Sequence, residues 1–414
     1  MPRTEHDLDT VLVTDREHWL EGPPHELFRA IRSSGCPVHW SSRITEYPTE
    51  AGFWSVTTAD DILTVSRDWE TYSSELGGIT AVTEGFPLEL MRAMFIGMDP
   101  PKHDRIKALF QRAFTPRRIA DHEDEIRQIV CEVLDRVEGR EVIDLVEDVA
   151  QPAVSRVIGS FMGIPPEDDA AWAALMNSTL GAGDPDLNPE GVGAVMDKGI
   201  PEVFERCMKL VAARREQPTD DLTSVLVHAE VDGQKLEDHE IVMGFFLLVA
   251  AGNDSTKATY CSAMHALIEH PDQRDLLLED PSRIPGAVEE ALRMFPAFAH
   301  FRRTATRDCV LHGQEIKAGE KVVLWYPSSN RDETRYEDPD RFDVLRNPEH
   351  QAFGAGGRHF CLGTALARLE LRILIEETLA RFPQADLCGP LTWVESPFIS
   401  QIKTMPVRLR PAGG

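Results

Sequence analysis

The stretch that decides the fold lies late in the chain and reads Phe353-Gly354-Ala355-Gly356-Gly357-Arg358-His359-Phe360-Cys361-Leu362-Gly363. Apolar residues recur at helical spacing after Cys361, so the sequence predicts a helix that begins close behind it. A thiolate at the start of a helix is stabilised by unpaired backbone N–H groups and by the helix dipole. Glycines let the backbone approach a flat ligand closely. The stretch indicates a ligand-binding thiolate; the alternative is a glycine-rich turn with an incidental cysteine.

The remaining cysteines lack such a context. They are scattered, and no two form a CxxC pair, which argues against a zinc site and against a disulfide framework. We interpret them as small apolar side chains of the interior. They are Cys36, Cys131, Cys207, Cys261, Cys309 and Cys388.

Composition excludes several classes of protein. The 414 residues carry a net charge of −26, so neither nucleic-acid binding nor attraction to an anionic membrane is expected. The most apolar run, residues 241–252, is too short to cross a bilayer. The N-terminal residues lack the basic and apolar segments of a signal peptide. We therefore expect a soluble, cytoplasmic protein with reduced thiols.

A second informative segment is the predicted helix 241–258. Its first half is apolar all round, as in a buried central helix, and it then continues as Ala251-Gly252-Asn253-Asp254-Ser255-Thr256. A glycine, an acid and hydroxyls conflict with helix propensity, and such conflicts are typical of functional sites. The alternative is a helix end that emerges into water.

A third feature is the pair Glu290 and Arg293. A spacing of three residues places both side chains on one helix face, where they can form an ion pair. The alternative is an exposed surface pair, which contributes little to stability.

The glycine-rich stretch resembles the haem-binding signature of the cytochrome P450 superfamily. That signature has a phenylalanine, spaced glycines, a basic residue two before the cysteine and a glycine two after it; His359 and Gly363 fit these last positions. Phe353 stands eight residues before Cys361 where seven is usual, as if one residue were inserted at Gly356-Gly357. The C-terminal half is most similar to soluble actinobacterial members that oxidise sterols, terpenoids or branched lipids; the alternative is a member that tailors specialised metabolites.

The resemblance implies a mainly α fold with small β-sheets, an α-rich triangular prism around a buried haem. One domain over residues 1–414 is expected, with a mixed β region over about 1–70 and a helical core over about 100–385. The residue pattern itself predicts strands near 52–56, 310–325 and 402–409 and helices at 59–66, 220–229 and 238–268.

The resemblance also implies roles in catalysis. Cys361 would ligate the iron of haem b, Ala251 would contact the haem, and Gly252 would leave room for dioxygen above the iron. Asp254 would relay protons, and the hydroxyl of Ser255 would assist their delivery. Serine stands where threonine is usual, so Thr256 is the alternative hydroxyl.

Basic side chains are expected to hold the two haem carboxylates. The resemblance assigns this role to His359, to Arg303 with Arg302 as its alternative, and to His103. Lys107 occupies a position where arginine is usual, so it would lack the bidentate fork. For each residue the alternative is a solvated surface charge.

Two further sets follow from the resemblance. Glu290, Arg293 and Arg341 would form a buried network that maintains the haem pocket. A lipophilic substrate would lie above the haem, with His300 either bonding a substrate oxygen or serving the structure. Its cavity would be lined by the ranges 76–91 and 175–184 and by Met243, Leu247, Ala250, Ala297, Phe298, His300, Phe398 and Ile399.

The expected function is insertion of one oxygen atom from dioxygen into a C–H bond of a lipophilic molecule by a monomeric enzyme. No flavin or nicotinamide motif is present, so electrons would come from a ferredoxin and its reductase. The docking patch would draw on Arg112, Arg117, Arg118, Arg358, Arg368 and Arg372. The alternatives are a peroxide-driven, coupling or desaturating enzyme, and a haem-thiolate sensor without turnover.

Overall fold

A computed structural model describes residues 12–82, 87–112, 114–181, 183–231 and 233–411. Helices dominate it, as predicted. Their bounds are α1 His25–Ser33, α2 Ala59–Arg67, α3 Leu88–Ala93, α4 Lys102–Gln111, α5 Pro116–Ala120, α6 Glu123–Val137, α7 Gln151–Met162, α8 Asp169–Leu180, α9 Val192–Ala194, α10 Ile200–Glu216, α11 Leu222–His228, α12 Asp238–Glu269, α13 Pro271–Glu279, α14 Ile284–Met294, α15 Tyr326–Ser329 and α16 Thr364–Arg381.

The strands are short and lie at the edge of the helical body. They are β1 Val38–Ser41, β2 Phe53–Val56, β3 Tyr72–Ser73, β4 Ile143–Asp144, β5 Glu230–Val231, β6 Gln234–Lys235, β7 His300–Ala305, β8 Cys309–Leu311, β9 Gln314–Ile316, β10 Lys321–Trp325, β11 Gln384–Leu387, β12 Thr392–Trp393, β13 Ile402–Thr404 and β14 Pro406–Arg410. The strands predicted near 52–56, 310–325 and 402–409 are confirmed.

The largest sheet places β10 at its centre, in the order β1-β2-β10-β7-β3. β10 runs parallel to β2, with Val322 opposite Trp54, and antiparallel to β7, with Val322 opposite Arg303. All five residues of β10 are buried, as expected for a central strand that is covered on both faces. The sheet thereby fixes Arg303, on β7, at the edge of the interior.

The helix α12 is the centre of the α-rich part. It begins with a capping box, in which Glu237 and Glu240 each bond the other's backbone N–H. Its 32 residues pack against α7, α8, α10 and α16. The alternative interpretation, a helix that ends in water near Thr256, is wrong, because α12 continues to Glu269. No helix among the described residues has the length and hydropathy to cross a membrane.

Candidate active site

Cys361 lies in the wall of a large interior cavity between α12 and α16. α16 begins at Thr364, three residues after the cysteine, close to where the sequence predicted it. Burial raises the pKa of the Cys361 thiol, whereas the N–H of Gly363 and the charge of Lys107 act in the opposite direction. These are the groups that a thiolate ligand needs around its sulfur.

The loop before Cys361 accommodates its extra residue through glycine conformations. Gly356 and Gly357 have φ values of +80° and +77°, in the left-handed region that favours glycine. A Cβ on Gly357 would lie 2.2 Å from the carbonyl oxygen of Ser66, so the loop packs directly on α2. The N–H of Cys361 donates to the carbonyl of Phe353 at 3.0 Å. Phe353 therefore still lies beside the cysteine and lines the cavity despite its unusual spacing.

Four basic side chains, which we call the basic cluster, line the same cavity. They are His103, Lys107, Arg303 and His359. The ring centroids of His103 and His359 lie 4.3 Å apart. Burial lowers the pKa of both imidazoles, and Arg303 lowers that of His359 further. Both imidazoles are therefore favoured in their neutral form, and the cationic side chains on this wall are Lys107 and Arg303.

Arg303 tests whether the basic cluster fits a haem. Its side chain is 5% exposed, and it donates to the carbonyl of Arg302 at 2.8 Å. In the described part of the chain Arg303 forms no ion pair. The charge of Asp99 raises its pKa from a distance, but the carboxylate oxygens of Asp99 accept hydrogen bonds from Ser73 and Ser74. A buried guanidinium without an anion is costly. Haem brings two carboxylates, so the donor set fits this group.

The other two basic candidates are placed differently. Lys107 donates from Nζ to the carbonyls of Arg358 and Phe360, the latter at 2.7 Å, so its ammonium holds the cysteine loop. Arg302 does not line the cavity with Cys361 and donates to the hydroxyl of Thr304 at 3.1 Å. Arg303, rather than its alternative Arg302, is thus the guanidinium available to a cavity ligand.

On the opposite wall α12 presents Ala251, Gly252, Ser255 and Thr256 to the cavity. The hydroxyl of Ser255 donates to the carbonyl of Ala251 at 2.7 Å, a bond within the helix. A Cβ on Gly252 would lie 3.0 Å from the side chain of Ile158, which also lines the cavity. The helix therefore comes close to its neighbour where the resemblance implies space for dioxygen.

Asp254 faces away from this cavity, toward α7 and α8, and is 1% exposed. Its Oδ1 accepts from Nζ of Lys257 at 2.5 Å, while its Oδ2 has no partner in the described structure. Lys257, also 1% exposed, donates in addition to Oε1 of Gln151 and Oδ1 of Asn177, both at 2.7 Å. Sequence reasoning missed Lys257, although its spacing of three from Asp254 was a detectable signal.

A second buried acid was also missed. Glu370, on α16, lines the cavity and is 3% exposed. Burial raises the pKa of Glu370 to about 8, although its hydrogen bond with Thr256 acts to lower it. A lone glutamate on the inner face of a predicted helix was the available signal.

A second cavity of about 420 Å³ adjoins the one with Cys361. We call them the outer and inner compartments. Several apolar residues line both, so the two compartments share a wall: Ile96, Leu247, Ala251, Phe298 and Phe301. Charged side chains occur at one end of the outer compartment, in Arg16, Glu46 and Glu395. The rest of its wall is mostly apolar.

Most of the predicted pocket residues line these compartments. Ala297 faces the inner one, Ala250, His300 and Phe398 face the outer one, and Leu247 and Phe298 face both. The predicted ranges supply residues to the outer compartment as well: Ile79, Thr80, Val82, Met91, Thr179, Leu180 and Gly183. Residues 83–86 and 182 of those ranges lie outside the described residues.

Two residues predicted for the pocket lie outside both compartments. Ile399 is 1% exposed and lines neither compartment. Its backbone pairs with that of Phe298, and in such an extended segment successive side chains point to opposite sides, so Phe398 faces the outer compartment and Ile399 does not. Met243 is buried in the main core and lines neither compartment. It lies one turn before Leu247, toward the N-terminal end of α12.

The ion pair of Glu290 with Arg293 is fully buried, with two hydrogen bonds of 2.7 Å. The prediction that Arg341 completes it is wrong, because the Arg341 side chain is exposed and only its carbonyl accepts from Arg293. Arg346 takes that place and donates from Nε to Glu290 at 3.2 Å. Arg346 follows a turn that brings the chain back to α14, which sequence spacing did not reveal.

Comparison with known proteins agrees with this geometry. The family model "Cytochrome P450" matches residues 192–386. The steroid C26-monooxygenase of Mycolicibacterium smegmatis is 36% identical, over 99% of this chain and 98% of its own length. The methyl-branched lipid omega-hydroxylase of Mycobacterium bovis is 38% identical, over 86% of this chain and 84% of its own.

A solved structure gives the same result for the fold. Mycobacterium marinum cytochrome P450 CYP268A2, in complex with pseudoionone, is 37% identical and superposes with a TM-score of 0.89, covering 97% of this chain and 98% of the other. Similarity over nearly the whole length, together with a cysteine and a basic cluster in one cavity, identifies the protein: the chain belongs to the cytochrome P450 family of haem-dependent monooxygenases.

Proposed function

We propose that this protein hydroxylates an aliphatic C–H bond near the branched end of an elongated lipophilic molecule. The observation that carries the proposal is that the compartment with Cys361 and the outer compartment adjoin across a shared apolar wall of Leu247, Ala251 and Phe298. A cavity with a mostly apolar lining binds an aliphatic chain and offers it few hydrogen-bond partners. The end of such a chain reaches the inner compartment first.

The relatives support this substrate class. One is named for a methyl-branched lipid, another for C26 of a steroid, and a third was crystallised with pseudoionone. Each of these molecules carries a methyl-branched aliphatic chain. At about 420 Å³ the outer compartment is within the usual size of small-molecule sites. A terpenoid, a branched lipid or a steroid side chain therefore matches its volume and its polarity.

In our proposal the chain's own residues hold the cofactor in three ways. Cys361 ligates the iron, with the N–H of Gly363 and Lys107 compensating the charge of its sulfur. Arg303, His103 and His359 bind the carboxylates. Haem bound in this way supplies the iron centre at which dioxygen is reduced and split.

Proton delivery in this proposal uses both sides of α12. Oδ2 of Asp254 is buried and unpartnered in the described structure, so it is the carboxylate oxygen open to a proton. The hydroxyl of Ser255 lines the inner compartment. In the proposal it rotates away from the carbonyl of Ala251 and passes a proton into that compartment. Thr256 is the second hydroxyl on this wall and has Glu370 as its partner.

Electrons come from a ferredoxin in our proposal, docked on the surface next to the cysteine loop. Three of the predicted arginines are paired with acids: Arg358 with Asp104, Arg368 with Glu289 and Arg372 with Glu123. The exposed patch is therefore less basic than the sequence predicted. Phe360, next to the cysteine and 42% exposed, adds an apolar contact to this surface.

The test uses purified haem-loaded protein with pseudoionone, testosterone and hexadec-9Z-enoic acid. We expect the two compounds with an aliphatic chain, pseudoionone and hexadec-9Z-enoic acid, to shift the spin state of the iron in the visible spectrum. Turnover with a ferredoxin and its reductase should add one atom of isotopically labelled dioxygen to the product. Cys361→Ser is the control and should lose the long-wavelength Soret band of the ferrous carbonyl form. A product without the label, or no spectral shift with any compound, would refute the proposal.

A further inference from the structure

The imidazole of His300 joins two separate segments of the outer compartment. Nδ1 lies 2.7 Å from the carbonyl oxygen of Pro397, and Nε2 lies 3.0 Å from the backbone nitrogen of Ala81. We call these segments the 79–82 wall and the 396–398 wall, and residues of both line the compartment. The His300 side chain is 2% exposed, so water does not compete for these bonds.

These partners determine the protonation of the ring. A carbonyl oxygen accepts and a backbone N–H donates, so Nδ1 must carry the hydrogen and Nε2 must offer its lone pair. Only the neutral Nδ1–H tautomer satisfies both. Burial lowers the pKa of His300 to about 4, which agrees with a neutral ring. Both nitrogens are used, so the ring has no hydrogen bond left for a substrate oxygen.

Each wall is also tied to the neighbouring backbone on its own. On one side the N–H of Arg302 donates to Ile79 at 2.7 Å, and Nζ of Lys321 donates to the carbonyl of Ala81 at 3.0 Å. On the other side the N–H of Ala299 donates to Phe398 at 2.8 Å. These bonds hold each wall at its base, whereas the His300 ring connects one wall to the other.

Packing prevents the ring from adopting another orientation. Its centroid lies 4.8 Å from that of Trp325 and 5.4 Å from that of Phe398, both in edge-to-face contact. Trp325 is itself fully buried at the end of β10. The ring is therefore fixed by a rigid strand behind it and forms part of the compartment surface in front.

We propose that His300 is a positioning residue that sets the width of the outer compartment by clasping the 79–82 wall to the 396–398 wall. The clasp restricts the site to slender molecules, because a wider ligand separates the walls and breaks both bonds of the ring. The inference rests on the proposed function only in taking the outer compartment as the substrate site. The two hydrogen bonds and their effect on the walls do not depend on it.

The experiment compares haem-loaded wild type with His300→Phe, which keeps an aromatic ring and removes both bonds, and with His300→Gln, which keeps one donor and one acceptor. Amide hydrogen exchange at Ala81 reports the clasp without any substrate. Loss of one hydrogen bond corresponds to about five-fold faster exchange at this amide in His300→Phe. We expect His300→Gln to be intermediate, and the amide of Val323 in the central strand to be unchanged in both.

Binding is measured by the spin-state shift with pseudoionone and with testosterone. In His300→Phe we expect pseudoionone to bind about 25-fold more weakly, about five-fold for each of the two lost bonds that order the walls. The wider testosterone should gain affinity relative to pseudoionone. Unchanged exchange at Ala81, or an unchanged ratio of the two affinities, would overturn the clasp. If exchange rises but neither compound binds wild type, the clasp stands and the proposed substrate class falls.

Discussion

Two carboxylates lie beside the same turn of α12, and their surroundings are opposite. Asp254 pairs with the ammonium of Lys257 at 2.5 Å, on the side of α7 and α8. Glu370 reaches the helix from α16, has the hydroxyl of Thr256 as its partner, and has its pKa raised to about 8 by burial. One acid is half of an ion pair and the other is neutral at pH 7. Glu370 is neutral because burial outweighs its hydrogen bond with Thr256, whereas Asp254 shares its burial with a cation.

Lys257→Met is expected to have the largest effect, because it removes the cation that distinguishes the surroundings of Asp254 from those of Glu370. It leaves the Asp254 carboxylate buried without its cation, which costs about 3–5 kcal/mol in the free energy of unfolding. Denaturant titration of the haem-loaded protein measures this loss. The double variant Asp254→Asn/Lys257→Met is the control and should recover most of it. A single variant within about 0.5 kcal/mol of wild type would mean that the pair does not stabilise the fold.

Asp254→Asn tests the charged side of the comparison in catalysis. Removal of a proton-transfer group should slow ferredoxin-supported turnover about 100-fold, while the affinity for pseudoionone stays the same. Hydrogen peroxide brings its own protons, so peroxide-driven turnover is the matched control and should change little. Equal ferredoxin-supported rates in the two proteins would remove Asp254 from proton delivery.

Glu370→Gln tests the neutral side through pH. Folded Glu370 keeps its proton up to a pKa of about 8, whereas the unfolded carboxyl loses it near 4.5, so stability is full below pH 4.5 and falls as pH rises toward 8. Between pH 6 and 7.5 wild type should lose about 2 kcal/mol relative to Glu370→Gln, from about 1.4 kcal/mol per pH unit. Denaturant titrations at several pH values measure this, and parallel curves would show that Glu370 is ionised.

Ser255→Ala sharpens the comparison by separating the two hydroxyls. Ser255 follows Asp254 in sequence, and Thr256 bonds Glu370. Loss of the hydroxyl that delivers protons should lower the product formed per electron pair about five-fold, the effect of one hydrogen bond. Released peroxide measures the uncoupled remainder. If Thr256→Val uncouples the reaction and Ser255→Ala does not, the delivering hydroxyl belongs to the Glu370 side.

Local pattern was sufficient wherever neighbours along the chain meet. The apolar periodicity around residues 238–268 predicted α12 almost to its ends, and the spacing of Glu290 and Arg293 predicted their pair. The pattern failed where distant segments meet. Arg346 rather than Arg341 joins Glu290, because the turn before it returns the chain to α14. Spacing and helix face pointed to Lys257 and Glu370, but their burial exists only once α7 and α8 pack around Lys257 and α12 packs against Glu370.

The sequence by itself determined the family signature, the cysteine proposed to bind the cofactor and the helix that faces it, because each depends on residues a few positions apart. Only the tertiary structure decided which arginine faces the cavity, which acid is paired and which is neutral, and that His300 connects two walls rather than a substrate. The physical reason is that burial and the distance between charges set ionisation and hydrogen bonding. Both come from packing between segments far apart in the chain.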